Sequence, residues 1–240
     1  MKTAILAAAA LALSTSLGMA QTVRMGTEGA YPPSNFINDK GEIDGFEREL
    51  GDELCKRAGL TCEWVSNEWD SIIPNLVSGN YDTIIAAMSI TEERAAVIAF
   101  SDPYLPPTPS VYVALSDGVD LEGGIIATQT ATIQSGYIAE SGAQLLEFPT
   151  PDETIAAVRN GEADAVFADI DYLKPIVAES GGQLTFVGEP VPLGGGVGIG
   201  MRQSDAELKA KFDAAIQSMK DDGTLNPMIT KWFGDEATLW

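Results

Sequence analysis

Two stretches of this chain repeat one pattern, and that repeat limits what the chain can fold into. Residues 76–82 and 158–164 each end a helical stretch and contain a glycine followed three residues later by an aspartate. Apolar runs follow at residues 83–87 and 165–168. Glycine suits the left-handed position that ends a helix, and a short continuous apolar run is typical of a buried parallel strand. The repeat therefore predicts two α/β layers built alike.

Polar residues follow both apolar runs. Ser89, Thr91 and Arg94 come after the first run, and Asp169 ends the second. Open α/β sheets bind ligands beyond the carboxyl ends of their strands, so this pattern predicts two facing lobes with a cleft between them. The alternative reading is that two unrelated α/β units share the pattern.

Residues 1–20 have the composition of an export signal. Lys2 gives a positive start, an almost wholly apolar run follows, and the run leads to Ala20, which predicts cleavage before Gln21. There is no cysteine near this point, so no lipid anchor is predicted there. No later stretch is long and apolar enough to span a bilayer. The mature protein is predicted to be exported, soluble and to comprise residues 21–240.

Export makes the two cysteines informative. Cys55 and Cys62 form an even count in an oxidising compartment, which favours one disulfide from a helix end, through a turn at Gly59, to the next strand. The spacing differs from the Cys-x-x-Cys pattern of redox sites. Since the chain has no histidine, we predict no metal site at this pair.

The charge balance excludes some functions. The chain has 14 Lys and Arg against 35 Asp and Glu, a net charge of −21, which excludes non-specific nucleic-acid binding through a basic patch. An acidic surface serves solubility, or attracts cationic solutes. The absence of histidine removes histidine-based acid–base and triad chemistry. No cofactor is predicted.

The periodicity predicts alternating helices and strands. Extended segments at residues 110–115 and 194–200 are interpreted as two crossings between lobes, and Ser89 with Glu92 fits a capping box before a short helix. The predicted helices are residues 46–58, 69–78, 91–97, 133–140, 152–160 and 205–220, with a last helix ending near residue 233, and the predicted strands are residues 23–27, 63–65, 125–128 and 163–168.

Several motifs resemble those of the periplasmic polar amino-acid-binding proteins of ABC importers, especially the binders of lysine/arginine/ornithine, histidine and opines. The match covers essentially all of residues 21–236, and the cysteine spacing resembles that of the basic amino-acid binders. The motifs are Thr27-Glu28-Gly29-Ala30-Tyr31-Pro32-Pro33, Asp44-Gly45-Phe46-Glu47, Trp69-Asp70-Ser71-Ile72-Ile73-Pro74, Met88-Ser89-Ile90-Thr91-Glu92-Glu93-Arg94, Phe100-Ser101-Asp102-Pro103-Tyr104 and Asp222-Gly223-Thr224.

The resemblance implies a bilobal periplasmic-binding-protein fold of α/β class. Two α/β lobes are joined by two crossing strands, with a ligand cleft between them. The first lobe would comprise residues 21–110 and 200–240, and the second residues 111–199. The resemblance also implies a periplasmic, monomeric binding subunit without enzymatic activity, whose closed form docks on an ABC permease in the inner membrane.

The resemblance places the ligand's main-chain groups between the lobes. Arg94 would bind the carboxylate through paired hydrogen bonds, helped by Ser89, and Asp169 would bind the ammonium from the opposite lobe. The alternative for Arg94 is a surface ion pair with Glu92 or Glu93. The alternative for Asp169 is a helix N-cap.

The remaining predicted site residues concern the ligand's side chain and the second lobe. Tyr31 and Trp69 match the aromatic pair that encloses the side chain, and Glu28 matches an acid that faces its terminal cation. Core packing and an exposed loop carboxylate are the respective alternatives. Thr128 and Thr132 match positions of the second lobe that touch the ligand's main-chain groups.

Some residues depart from the family pattern. Ala87, which we include in the predicted site, lies where the histidine and lysine binders have a serine. The loop before Thr132 lacks a glycine that is common in the family, and Ser34 replaces a common aromatic. These departures leave the exact ligand open.

The ligand reading that follows is a cationic amino acid of the arginine, lysine or ornithine type. Alternatives are an opine, glutamine or another polar zwitterion, and a sensory rather than transport role. An alternative of another class is an enzyme similar to cyclohexadienyl dehydratases, in which Glu28 or Asp169 would act as an acid.

Overall fold

The computed structural model describes residues 22–240, and the predicted export signal lies outside the described residues. The strands are Thr22–Thr27 (β1), Ala30–Tyr31 (β2), Asn35–Ile37 (β3), Ile43–Asp44 (β4), Thr61–Ser66 (β5), Thr83–Ile84 (β6), Ala99–Phe100 (β7), Ser110–Ala114 (β8), Ile125–Gln129 (β9), Gln144–Phe148 (β10), Ala165–Asp169 (β11), Thr185–Val191 (β12) and Gly200–Met201 (β13). The α-helices are Phe46–Arg57 (α1), Ile72–Val77 (α2), Glu92–Ala95 (α3), Ile133–Ala139 (α4), Pro151–Asn160 (α5), Ile170–Glu179 (α6), Ala206–Asp221 (α7) and Leu225–Phe233 (α8).

The two lobes are built on sheets of matching topology. The sheet of the first lobe has the order β5-β1-β6-β13-β7, and that of the second β10-β9-β11-β8-β12. In each sheet the first three strands are parallel and the fourth is antiparallel to its neighbours. A small sheet, β2-β3-β4, lies after β1 in the first lobe. The bilobal α/β fold is therefore confirmed.

The sequence repeat occupies equivalent places in the two sheets. Helix α2 leads into β6, and helix α5 leads into β11, the third strand of each sheet. The two glycines have the predicted left-handed conformation, with φ of 82° at Gly79 and 74° at Gly161. Glycine adopts this conformation without steric strain, and it lets the chain turn from the helix into the strand.

The chain crosses between the lobes twice, because β13 of the first sheet follows all strands of the second. The crossing segments are antiparallel: Tyr104 N donates to Val197 O at 2.8 Å, and Val197 N donates to Leu105 O at 3.1 Å. The predicted crossing at residues 110–115 is wrong, because residues 110–114 are β8, fully inside the second sheet. The prolines before β8, which have no backbone N–H to donate to a strand ladder, lie nearer the crossing. The exact lobe boundaries stay a prediction.

Each lobe has its own hydrophobic core. In the first lobe, α1, α7 and α8 cover one face of the sheet through side chains such as Leu50, Phe212 and Ile229. In the second, α5 and α6 pack on the sheet through side chains such as Val158 and Leu173. Burying one such side chain stabilises the fold by about 1.5–3 kcal/mol. Within residues 22–240, no helix has both the length and the apolar composition needed to cross a membrane.

The predicted disulfide is confirmed. Cys55 and Cys62 are bonded, with their Cα atoms 6.2 Å apart. The bond joins the end of α1 to β5 across a turn at Gly59, whose φ is 65°. The disulfide therefore ties helix α1 to the edge strand β5 of the first sheet.

Several elements of the second lobe were not predicted, for identifiable reasons. Strand β12 contains Gly188 and Pro190, which weaken strands but are tolerated at a sheet edge, and β12 pairs only with β8. Helix α6 contains Pro175 and begins without a loop directly after Asp169. The local sequence therefore disfavours β12 and α6, and these elements are stabilised instead by their place at the sheet edge and by packing within the lobe.

Candidate functional site

A cavity lies between the lobes, beyond the carboxyl ends of the parallel strands. All but one of the predicted site residues line this cavity: Glu28, Tyr31, Trp69, Ala87, Ser89, Arg94, Thr132 and Asp169.

Thr128 is the exception. Thr128 lies within β9 and is fully buried, and its hydroxyl has no hydrogen-bond partner among residues 22–240. Side chains alternate between the two faces of a strand, so it is the neighbouring Gln129 that reaches the cavity. Thr128 does not line the cavity, and its role at the ligand stays a prediction.

Arg94 is held at the cavity without an acidic partner. It is partly buried in α3, and its Nη1 donates to Ser89 O at 2.9 Å. Its guanidinium carbon lies 5.4 Å from the centroid of the Trp69 ring. Burial lowers the pKa of Arg94 to about 10. Within residues 22–240 it forms no ion pair, so the alternative pairing with Glu92 or Glu93 is absent there.

The predicted capping box at Ser89 is wrong. The hydroxyl of Thr91 caps α3 by accepting a hydrogen bond from Arg94 N at 3.2 Å. Ser89 lies in extended backbone that forms a bridge with Val197 of the second crossing segment. The helix begins at Glu92, too late for Ser89 to reach its amides, so Ser89 stays on the cavity wall.

Asp169 is satisfied by neutral donors from both lobes. Its Oδ2 accepts from the hydroxyl of Tyr31 at 2.9 Å, and its Oδ1 accepts from Gln134 Nε2 at 2.9 Å. Asp169 occupies the N-cap position of α6, but its side chain makes no capping hydrogen bond. Burial raises the pKa of Asp169 to about 6, and the hydrogen bond from Tyr31 opposes that shift.

Glu28 follows β1 and faces the second lobe. Its Oε1 accepts a hydrogen bond from Gln129 Nε2 at 2.5 Å. Burial raises the pKa of Glu28 to about 7, and the bond from Gln129 opposes this shift. The next residue is also fixed, because Gly29 N donates to Asn35 Oδ1 at 2.7 Å. Glu28 is thus a held, desolvated carboxylate rather than an exposed loop residue.

The two aromatic residues of the first lobe both touch the second lobe. The ring of Tyr31 stacks on Tyr172 at 4.4 Å between centroids and 15° between planes. The indole nitrogen of Trp69 donates to Ala131 O at 3.3 Å. Both residues therefore belong to the closed interface, and both line the cavity.

Two alanines near the cavity have left-handed backbone. The φ of Ala87 is 49° and that of Ala131 is 56°, a conformation that costs an L-residue about 1–2 kcal/mol. Ala87 N donates to Oε1 of the buried Glu47 at 2.6 Å, which holds this conformation. Ala131 directly precedes Thr132, and the family commonly has a glycine before this threonine. The loop therefore keeps a left-handed conformation with a residue that is less suited to it than glycine.

Thr132 serves the backbone as well as the cavity. Its hydroxyl caps α4 by accepting from Ser135 N at 3.1 Å and donates to Gln129 O at 2.7 Å. Both bonds fix the loop that joins β9 to α4, and they leave the hydroxyl with little capacity for a ligand.

Gln129, Gln134 and Tyr172 are among the second-lobe cavity residues that sequence reasoning missed. Each contacts a predicted residue, but two of those contacts cross between lobes, and no periodicity signals a partner so distant in sequence. A glutamine at the end of an apolar strand, as at Gln129, was the one available signal.

A model of the bacterial extracellular solute-binding proteins, family 3, matches residues 23–235. The lysine/arginine/ornithine-binding periplasmic protein of Escherichia coli K12 is 32% identical, covering 97% of each chain. The octopine-binding periplasmic protein of Rhizobium meliloti is 31% identical, covering 91% of this chain and 92% of that protein.

A solved structure agrees with these matches. The structure of a periplasmic His/Glu/Gln/Arg/opine family-binding protein from Silicibacter pomeroyi, in complex with lysine, is 78% identical to this chain. It covers 91% of this chain and 100% of that one, with a TM-score of 0.90. The chain therefore belongs to the bacterial extracellular solute-binding proteins of family 3.

Proposed function

We propose that this protein is the periplasmic substrate-binding subunit of an ABC importer and that it captures a cationic amino acid of the arginine, lysine or ornithine type. One observation carries the proposal: a guanidinium without an acidic partner, Arg94, shares a cavity with two desolvated carboxylates, Glu28 and Asp169. A basic amino acid carries the complementary set, one carboxylate and two cationic groups.

Arg94 supports the assignment of the carboxylate end. A partly buried cation is stabilised when an anion pairs with it, and guanidinium and carboxylate can form two parallel charge-assisted hydrogen bonds. Arg94 is the one basic residue among the described residues that line the cavity. The ligand's carboxylate would lie against it, beside Ser89.

The two acids support a ligand with two cationic groups. Burial raises the pKa of Glu28 to about 7 and of Asp169 to about 6, although the nearby Arg94 guanidinium opposes the rise at Asp169. An α-ammonium at Asp169 and a side-chain cation at Glu28 would stabilise both ionised forms. A neutral side chain would leave the desolvated Glu28 carboxylate without a cationic partner, so it is disfavoured.

The positions of these groups support capture by lobe closure. Arg94 and Glu28 belong to the first lobe and Asp169 to the second, so one ligand would bridge both. Closure gains free energy from the ligand only where both lobes bind it. We propose hinges in the antiparallel crossing segments around Leu105 and Val197, with lobe boundaries near residues 110 and 200. The closed form would then dock on a membrane permease.

The names of the relatives agree with this reading. The two characterised relatives described above are named for binding lysine, arginine and ornithine in one case and octopine in the other, and the solved relative holds lysine. These names make a periplasmic location and a positively charged ligand the natural extension to this chain.

An opine is less suitable on the geometry. Opines carry a second carboxylate attached through the α-nitrogen, next to the position proposed for Asp169. A neighbouring pocket on that side is lined by Asp171. Asp171 accepts from Thr108 Oγ1 at 2.9 Å, and burial raises its pKa. A further anionic group there would face two carboxylates.

A dehydratase activity is the alternative of another class. A carboxyl with a pKa near 7, as at Glu28, could act as a general acid. However, prephenate carries two carboxylates, and Arg94 alone would have to neutralise both among the described lining residues. Incubating the protein with prephenate or arogenate and measuring product by absorbance decides the matter; turnover would replace the binding assignment.

Calorimetric titration of residues 21–240 with arginine, lysine, ornithine, histidine, glutamine and octopine tests the proposal. We expect the three long cationic amino acids to bind more tightly than glutamine and octopine. A preference for glutamine or octopine would contradict the assignment of Glu28. Uptake of labelled lysine by cells with and without the gene separates a transport role from a sensory one.

A further inference from the structure

Two glutamines of the second lobe each donate to one carboxylate of the cavity. Gln129 Nε2 lies 2.5 Å from Glu28 Oε1, and Gln134 Nε2 lies 2.9 Å from Asp169 Oδ1. Both glutamine side chains are buried, with residue exposures of 7% and 5%. The two acids are therefore held by matching neutral donors, although only one of the two contacts crosses between lobes.

Gln129 is anchored on its own lobe. Its amide nitrogen also donates to Pro149 O at 3.0 Å, so both N–H groups are used. Among residues 22–240 its amide oxygen accepts no hydrogen bond, and the side chain lines the cavity. The end of the cavity at Glu28 thus presents the acceptor of an amide beside the free oxygen of a carboxylate. Acceptors alone suit a donor-rich cationic group.

The bond between Gln129 and Glu28 joins the two lobes. Glu28 follows β1 of the first sheet, and Gln129 ends β9 of the second, so opening the cleft separates them. In an open cleft the carboxylate would be hydrated and free to rotate. In the closed form it has one orientation and one fixed donor.

We propose that Gln129 is a specificity-determining residue, which positions Glu28 toward the cationic end of the ligand's side chain only when the lobes are closed. The inference rests on the proposed function. Gln129 acts through Glu28, so it is a positioning residue for side-chain recognition. Because this bond forms only when the lobes close, the ligand's side chain would be recognised during closure and not when the ligand first binds the open cleft.

Gln134 provides the contrast within the same cavity. It is anchored by Ser110 Oγ at 2.9 Å and holds Asp169, the partner proposed for the α-ammonium. Every amino acid carries that ammonium. Loss of Gln134 should therefore weaken all ligands alike, whereas loss of Gln129 should weaken only those with a side-chain cation.

The test compares Gln129→Met with Gln134→Met, using lysine and norleucine as probes. Methionine keeps an unbranched side chain of similar length without a donor, and norleucine is lysine without its side-chain ammonium. Hydrogen bonds to charged groups are strong enough that we expect Gln129→Met to weaken lysine roughly ten- to hundred-fold. Norleucine should change less than about threefold on the same reasoning. Gln134→Met should leave the lysine-to-norleucine ratio unchanged.

A pH profile separates positioning from a structural role. The bond from Gln129 opposes the rise in the pKa of Glu28, so its loss should move the pH at which lysine binding weakens to a higher value. Equal losses for both probes, with an unmoved pH profile, would overturn the inference and leave the proposed function intact. A parent protein that does not prefer lysine to norleucine would overturn the proposed function itself. If Gln129→Met does not fold, Gln129→Asn, too short for both bonds, carries the same test.

Discussion

Strands β6 and β11 follow the same sequence motif, but they lead to side chains of opposite charge. After the two-residue β6, the chain passes through extended residues to the four-residue α3, which carries Arg94. After the five-residue β11, Asp169 is both the last strand residue and the N-cap of α6. The repeat thus supplies a cation on a short helix and an anion on a strand end, facing one cavity.

The two ends also differ in how they are satisfied. Asp169 accepts hydrogen bonds from Tyr31 and Gln134, whereas the Arg94 guanidinium donates one hydrogen bond to Ser89 O within the described chain. A ligand's ammonium must therefore compete with neutral donors, while its carboxylate meets unused ones. The two ends of one site therefore need not contribute equally to the free energy of ligand binding. We expect Arg94 to contribute more than Asp169.

The largest effect is expected for Arg94→Ala. Removing one partner of a desolvated charge pair costs about 2–5 kcal/mol, which corresponds to roughly 30-fold to several-thousand-fold weaker binding. Calorimetry with lysine measures it. Arg159→Ala, which removes an exposed guanidinium from α5, is the matched control and should bind normally. Binding of the Arg94 variant within a factor of three of the parent would remove Arg94 from the site.

A smaller loss is expected for Asp169→Asn. The amide oxygen can still accept from Tyr31, but the charge opposite the ammonium is lost, so we expect roughly ten- to hundred-fold weaker binding. Asp171→Asn, a neighbouring carboxylate on α6, serves as control. If Asp169→Asn weakened lysine more than Arg94→Ala does, the comparison between the two strand ends would be reversed.

Lysine binding should weaken as the pH falls from 8 to 5.5. A cation binds the ionised carboxylates, and protonation competes first at Glu28, with a pKa of about 7, and then at Asp169, with a pKa of about 6. Protonation of one group across this window should weaken the affinity for lysine roughly ten- to thirty-fold, since each pH unit below the pKa is worth about 1.4 kcal/mol. Glu28→Gln should flatten the profile and weaken lysine, with little effect on glutamine. An unchanged profile in that variant would show that Glu28 does not contact the ligand's cation.

The smallest effect is expected at the second crossing segment. Gly194 has φ of 75°, and a Cβ there would come within 2.8 Å of the Cβ of Ser89. Gly194→Ala should displace Ser89 from the cavity wall and weaken all ligands by about three- to tenfold, the size of one neutral hydrogen bond. Gly195→Ala meets only Ile90 O at 3.4 Å and is the control. Equal affinities of the two variants would show that Ser89 contributes nothing at the β6 end.

Local chemistry determines what could be predicted of the fold. The left-handed glycines, the disulfide at Cys55 and Cys62 and the long amphipathic helix α7 depend on short-range signals, and all are present. Strand β12 and helix α6 depend on the sheet edge and on packing, so their local sequence argued against them.

The site divides along the same line. Arg94, Asp169 and Glu28 each belong to a local motif, two in the first lobe and one in the second, and the structure brings them to one cavity. Gln129 was missed, and Thr128 was chosen instead, because the face of a strand residue follows from its register in the sheet. The contact of Tyr31 with Tyr172 exists only once the lobes meet, which no single motif encodes.

The placement of β13 also bears on the order in which the chain acquires structure. Its residues Gly200 and Met201 pair with both β6 and β7, which lie about one hundred positions earlier. A chain that emerges from its amino end can complete the second sheet with residues 110–191 alone, while the first sheet still lacks an inner strand. Long-range pairings form slowly because their closure entropy comes first. The second lobe is therefore expected to mature before the first, and exposed strand edges at β6 and β7 are the region a folding helper would need to shield.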